Sequence, residues 1–117
     1  MPEGNFVKID RKILSWGWYT DPDTCHLFLH CILRANWKPG EWKGVHYERG
    51  QFITSLDSLS KQTGLTVRKV RTALKHLELT GEVTRKTTSK FSIITVNKYD
   101  LYQSNDKHSD KQVTSNR

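Results

Sequence analysis

The turn Thr63-Gly64-Leu65-Thr66 constrains the fold of this 117-residue chain more than any other feature. It separates two amphipathic segments, one that follows Ser55 and one that runs from about Val67 to Leu79. Glycine readily adopts the left-handed conformation that ends a helix, and a threonine side chain caps the start of the next. We therefore predict two helices joined by a tight turn, with Leu65 filling the angle between them.

The segments around this turn predict the fold class. Upstream, Asp21-Pro22 starts a helix with apolar residues at helical spacing, and Gln51–Thr54 is predicted as a short strand. Downstream, Glu82–Lys86 and Phe91–Val96 are rich in β-forming residues and flank a polar turn, which is typical of a hairpin. The order of elements predicts an α+β, mainly α, winged helix-turn-helix with a C-terminal two-stranded wing.

Three further segments complete the expected organisation. Phe6–Ile9 is predicted as a small strand, and Asp10 as the cap of a short helix that buries Ile13, Leu14 and Trp16. Residues 36–50 contain proline and three glycines, and are predicted as a loop. We expect one domain over residues 1–103, followed by a polar tail or linker over residues 104–117 that cannot form a core.

Positive charge is concentrated in one part of the chain. The net charge is +7, and residues 61–90 alone hold eight basic residues against two acidic ones. A random scatter of surface lysines does not produce such clustering, whereas a surface that binds a polyanion does. No apolar run is long enough to span a bilayer and no signal-peptide pattern is present, so we expect a cytoplasmic protein.

A helical wheel divides the segment from Val67 to Leu79 into two sides. Val70, Leu74 and Leu77 share one side and predict its buried face, and basic and short polar residues share the other. From this side we predict that the DNA base edges are contacted by Thr66, Arg68, Lys69, Thr72 and His76. We predict that phosphates are contacted by two residues of the helix and three at the tip of the wing: Arg71, Lys75, Arg85, Lys86 and Lys90. The alternative is a helix whose solvated face is basic by chance.

Other chemistry receives little support from the sequence. His26 and His30 lie one helical turn apart between Cys25 and Cys31, but no spacing of four metal ligands is present, so we expect no metal. No nucleophile motif or phosphate-binding glycine loop occurs, and we expect neither a cofactor nor catalysis. The aromatic residues of segment 16–19 are expected in the core, with a dimer interface as the alternative.

Four stretches resemble a known family. They are FVKIDRKILSWGWYTDP, EWKGVHYERGQFITSLDSLS, TGLTVRKVRTALKHLELTGEV and FSIITVNKYDLYQ, which together fall within residues 5–103. In this order they resemble the N-terminal domain of phage and plasmid replisome organisers, the DnaD-like replication initiation proteins. The resemblance implies binding of double-stranded DNA at a replication origin, a homodimer, and recruitment of a helicase loader through a second, helical domain beyond a polar linker.

Two alternatives remain open at this stage. A winged-helix transcriptional regulator has the same fold, and a fold does not decide what its DNA binding serves. A protein-interaction module would instead use the basic face against an acidic region of a replication or host protein. Steep salt dependence of DNA binding distinguishes the DNA-binding functions from this last one.

Overall fold

The computed structural model describes residues 6–103. Its α-helices and strands follow the predicted order, except that the strand predicted at Phe6–Ile9 does not form and one hairpin is added. Three α-helices are present: α1 (Pro22–Arg34), α2 (Leu56–Thr63) and α3 (Val67–Leu79). Five strands accompany them: β1 (Gly40–Trp42), β2 (Val45–Tyr47), β3 (Gln51–Thr54), β4 (Val83–Thr87) and β5 (Ser92–Val96). Short 3-10 helices lie at Arg11–Ser15 and Tyr99–Leu101. The predicted α+β class is confirmed.

The helices begin where the sequence places their caps. Asp21 accepts a hydrogen bond from the Thr24 amide at 3.1 Å, and Pro22 opens α1 without needing a donor. Ser55 accepts from the Ser58 amide at 3.1 Å in the same way. These caps satisfy amides that have no partner within the helix, and they fix the first turns of α1 and α2.

A three-stranded antiparallel sheet carries the wing. Its order is β3-β5-β4, so β5 lies between the predicted hairpin partner β4 and the earlier strand β3. Alternation divides the sheet into a core face, which includes Phe52 and Ile94, and an outer face, which includes Ile53, Ile93 and Lys86. The two-stranded wing is confirmed, and β3 anchors it to the helical part of the domain.

The core lies between the three helices and the inner face of this sheet. The apolar residues that were expected at helical spacing in α1 are buried: Leu27, Phe28, Cys31 and Ile32. The apolar face of α3 is buried as well. The central side chains are Leu27, Phe28, Cys31, Ile32, Phe52, Leu59, Val70, Leu74, Leu77, Ile94 and Val96. Because α3 contacts α1, α2 and β4, its position is fixed from several sides.

The predicted loop over residues 36–50 is wrong in part, because it contains a second hairpin. Strands β1 and β2 pair in antiparallel register, with Trp42 opposite Val45, and Lys43 and Gly44 form the turn. The strands are three residues long, too short for an alternating pattern to stand out beside proline and glycine. This hairpin is the addition to the predicted order.

The N-terminal segment also differs from expectation. Residues 6–10 form no strand, although the Lys8 amide donates to the Tyr102 carbonyl at 2.6 Å. Asp10 does cap the first 3-10 helix, but Leu14 is exposed because the helix places only Ile13 and Trp16 toward the protein. Trp16 packs against Phe28 with ring centroids 4.9 Å apart. The proposed tail, residues 104–117, lies outside the described residues.

Candidate nucleic-acid interface

The turn between α2 and α3 is held by several side-chain hydrogen bonds. Gly64 adopts the left-handed conformation, with φ of 83°, and ends α2 as predicted. The Ser60 hydroxyl donates to the Leu65 carbonyl at 2.6 Å, and the Leu65 amide donates to the Thr63 hydroxyl at 3.2 Å. Thr66 then caps α3 by accepting from the Lys69 amide at 3.1 Å. The start of α3 is thereby fixed relative to α2.

The outward side of α3 presents the predicted cations to solvent. Arg68, Lys69, Arg71 and Lys75 are all exposed, and Thr72 lies exposed among them. Within residues 6–103 none of these four cations forms an ion pair, whereas Lys61 of α2 is paired with Asp57 at 3.2 Å. The surface formed by Thr66, Arg68, Lys69, Arg71, Thr72 and Lys75 is called the α3 face below.

An exposed apolar residue, which was not among the predicted site residues, follows the α3 face toward the C-terminal end of the helix. The side chain of Leu79, in the last turn, is 79% exposed. On a wheel it falls on the same side as Arg68 and Thr72, so it extends that side at its C-terminal end. The sequence indicates this exposure, because Leu79 lies outside the apolar stripe of Val70, Leu74 and Leu77 on the helical wheel.

His76 does not lie on the α3 face, and its predicted outward orientation is wrong. Its ring is stacked on Trp18, with centroids 4.2 Å apart and planes 7° from parallel. Its Nδ1 atom lies 2.8 Å from the Thr24 hydroxyl and 3.5 Å from a carboxylate oxygen of Asp21. His76 therefore connects α3 to the start of α1, and the Trp18 indole donates to the Thr80 hydroxyl at 2.9 Å beside it.

The wing carries two exposed lysines and one paired arginine. Lys86 lies on the outer face of β4, and Lys90 lies in the turn between β4 and β5. That turn is closed by the Thr88 amide, which donates to the Phe91 carbonyl at 2.8 Å. Within the described part of the chain neither lysine forms an ion pair. Both are therefore free to meet a phosphate.

Arg85 lies elsewhere, and its predicted place at the wing tip is wrong. It is in the middle of β4, and strand alternation puts it on the core face with Val83. Its guanidinium donates to Glu78 of α3 at 3.2 Å, and its side chain is only 21% exposed. The residue therefore joins the wing to α3, and its charge is already neutralised by Glu78.

The histidines of α1 have structural partners, and its two cysteines are free thiols. His26 Nε2 lies 3.0 Å from the Thr63 carbonyl, and His30 Nε2 lies 3.0 Å from the Gln62 side-chain oxygen, so both rings reach the end of α2. Burial lowers the pKa of His30, against the opposite effect of the Gln62 contact. Cys31 is buried, which raises its pKa to about 12. Over residues 6–103 no three His, Cys, Asp or Glu side chains converge to hold a metal.

Comparison with known proteins supports the same architecture. A model of the DprA winged helix domain matches residues 50–87, about one third of the chain. The matched part runs from the start of β3 through α2, the turn and α3 to the end of β4. No curated protein and no solved structure matches this chain.

The fold and this match define a winged-helix domain. Such a domain suggests DNA binding in general, with the second helix of the helix-turn-helix in the major groove. The match gives no support to the DnaD-like family in particular. Among the residues described, no helix has the length and apolar character needed to cross a membrane.

Proposed function

We propose that this domain binds double-stranded DNA, with α3 in the major groove and the wing on the adjacent backbone. The observation that carries the proposal is the α3 face, where four cations lie exposed and without ion pairs inside residues 6–103. On a helix, acidic residues three or four positions from a basic residue are stabilising, and like charges at that spacing are destabilising. On this helix the one acidic residue, Glu78, is bound to Arg85.

The roles within this interface follow from position along α3. Residues near the N-terminus of a recognition helix meet base edges, so we assign base reading to Thr66, Arg68, Lys69 and Thr72. Arg71 lies at one margin of the α3 face and Lys75 lies toward its C-terminal end, and both are assigned to phosphates. A phosphate contact from Lys86 and Lys90 would set the orientation of the duplex without reading its sequence.

Removal of two base-reading candidates tests this proposal. Arg68→Ala combined with Lys69→Ala should weaken binding of a cognate duplex, with about 1–3 kcal/mol lost for each base contact. Arg11→Ala combined with Lys12→Ala is the matched control, because it removes the same charge from an adjacent, exposed pair outside the helix-turn-helix. If both double variants lower the duplex affinity equally, the proposal that α3 lies in the major groove is refuted.

We further propose that the DNA target is a replication origin and that the domain acts as part of a phage-type replication initiator. This role rests on the resemblance of the four sequence stretches to replisome organisers. With this role we also propose that the domain forms a homodimer, that a helicase loader is a partner of the complete initiator, and that the protein is cytoplasmic. The proposed function is binding, with no reaction assigned to the domain.

Footprinting on the protein's own coding region and its flanks tests the replication role. The resemblance implies an origin within the gene of the initiator, so protected repeats inside the coding sequence are expected. Protection confined to a promoter region would instead favour a transcriptional regulator. If the domain binds no duplex but does bind an acidic protein, a protein-interaction module is favoured instead.

A further inference from the structure

The hairpin of β1 and β2 exposes an aromatic residue at an unusual turn. Lys43 and Gly44 both have positive φ, at 48° and 80°, as a two-residue hairpin turn with the twist of the strands requires. Asparagine, aspartate or glycine usually occupies the first of these positions, because a longer side chain is disfavoured there. Lys43 is the one non-glycine residue of the described chain with positive φ.

This disfavoured lysine lies against an exposed tryptophan. The Lys43 ammonium is 4.9 Å from the centroid of the Trp42 ring, and the Trp42 side chain is 49% exposed. A strained residue persists where the surrounding structure or a function maintains it. The turn therefore combines a cation and an aromatic surface at a position where neither helps to form the core.

A small groove opens beside Trp42. It has a volume of about 240 Å³, and its aromatic side is formed by Trp42 and Tyr47, with Arg34, Asn36 and Glu41 as the polar groups. Sites for drug-sized molecules are roughly 300–1,000 Å³. A smaller groove with aromatic and polar walls suits one planar ring that carries hydrogen-bonding groups.

The groove is continuous with the wing through the outer face of the sheet. Lys86 of β4 lies opposite Ile93 of β5, and Ile93 lies opposite Ile53 of β3, which lines the groove. Neighbouring strands are about 5 Å apart, so this row spans roughly 10 Å. A flexible nucleic-acid strand that extends from the wing can therefore pass over two half-buried isoleucines, Ile93 and Ile53, and reach Trp42.

We propose that the β1–β2 hairpin is a second nucleic-acid site, which binds an unpaired DNA strand. One base stacks on Trp42 in the groove, and the guanidinium of Arg34 and the ammonium of Lys43 neutralise the flanking phosphates. Aromatic surfaces beside basic groups are the general means by which proteins hold single strands. The Glu41 carboxylate at the groove accepts hydrogen bonds from the amino group of a base such as cytosine. The site uses no residue of the α3 face.

Single-strand binding by Trp42 variants tests the proposal. A labelled 15-nucleotide strand of cytosine and thymine is titrated with the full chain, and its fluorescence anisotropy gives the Kd. Stacking contributes about 1–3 kcal/mol per base, so Trp42→Ala should weaken binding about 5- to 150-fold. Trp42→Phe should retain most of the affinity, because it keeps an aromatic face. Thermal melting of both variants verifies that the chain is folded.

Two comparisons make the result specific. Lys38→Ala is the matched control: its ammonium lies 5.2 Å from the Trp37 ring, outside the groove, and its removal should change the Kd less than twofold. A blunt duplex of the same length should bind Trp42→Ala as it binds the original chain. The proposal is overturned by equal losses for single strand and duplex, by an equal effect of Lys38→Ala, or by absence of single-strand binding. An unaltered duplex affinity in the Arg68/Lys69 variant would contradict only the proposed function.

Discussion

The contact between His76 and Thr24 predicts that their contributions to the free energy of unfolding are coupled. Measuring this coupling distinguishes a structural role of His76 from a role in reading DNA bases. Thr24 is fully buried in the first turn of α1, and its hydroxyl lies 2.8 Å from His76 Nδ1. Among residues 6–103, His76 is the one hydrogen-bond partner of that hydroxyl. Removing the imidazole therefore leaves a buried polar group with no partner.

The expected magnitudes follow from these contacts. His76→Ala leaves the Thr24 hydroxyl unsatisfied, at a cost of about 1–3 kcal/mol, and loses a ring stacked on Trp18, at about 0.5–1.5 kcal/mol. Thr24→Val should cost less, about 1 kcal/mol, because the half-buried His76 nitrogen still has Asp21 at 3.5 Å. The double variant has no orphaned hydroxyl, so its cost should fall short of the sum of the single costs by about 1–2 kcal/mol.

Urea unfolding of the original chain and the three variants measures this coupling, and duplex titration is the second assay. We expect duplex affinity to change less than twofold in all of them, because His76 points to α1. Additive unfolding costs would refute the hydrogen-bond argument. A tenfold loss of affinity in His76→Ala with unchanged stability would show that this histidine reads bases after all.

Two further predictions concern the stability of the domain. Leu74→Ala should destabilise the domain by about 2–5 kcal/mol in urea unfolding, since its side chain is 1% exposed; an unchanged midpoint would contradict its place in the core. Burial lowers the pKa of His30, so the unfolded chain binds more protons and stability falls as the pH drops below the ordinary value of 6.5. Between pH 7.5 and 5 the original chain should lose more stability than His30→Gln, and parallel curves for the two would refute this.

The helices were predictable from local chemistry, because capping residues and apolar spacing act within a few positions of the chain. Asp21, Ser55 and Thr66 each cap the helix that they were expected to cap. Gly64 ends α2 in the left-handed conformation for the same local reason. The bounds of α3 therefore agree with the sequence prediction.

The errors have a different origin, because they depend on contacts between separate elements of the fold. On a wheel His76 falls outside the buried stripe, but Trp18, some sixty residues earlier, adds a second surface on that side of α3. Arg85 belongs to a basic run, yet strand alternation turns it toward Glu78. Neither contact can be read from spacing along one element.

Arg85 and its neighbours in the wing provide a last prediction about which charges meet DNA. Each lysine that contacts a phosphate releases counterions on binding, which contributes about 0.9 to the slope of log K against log salt concentration. Lys86→Ala combined with Lys90→Ala should therefore reduce that slope by about 1 for each contact made, and weaken all duplexes about equally.

Arg85→Ala is the matched variant, because it removes a cation from the same strand that is already bound to Glu78. It should leave the salt slope nearly unchanged and should lower stability by up to about 1 kcal/mol, the range of a partly exposed ion pair. Duplex titrations from low to high salt, with urea unfolding in parallel, measure both quantities. If Arg85→Ala reduces the slope as much as one lysine does, its guanidinium exchanges Glu78 for a phosphate on binding. The division of the wing into a structural arginine and two phosphate-contacting lysines would then be wrong.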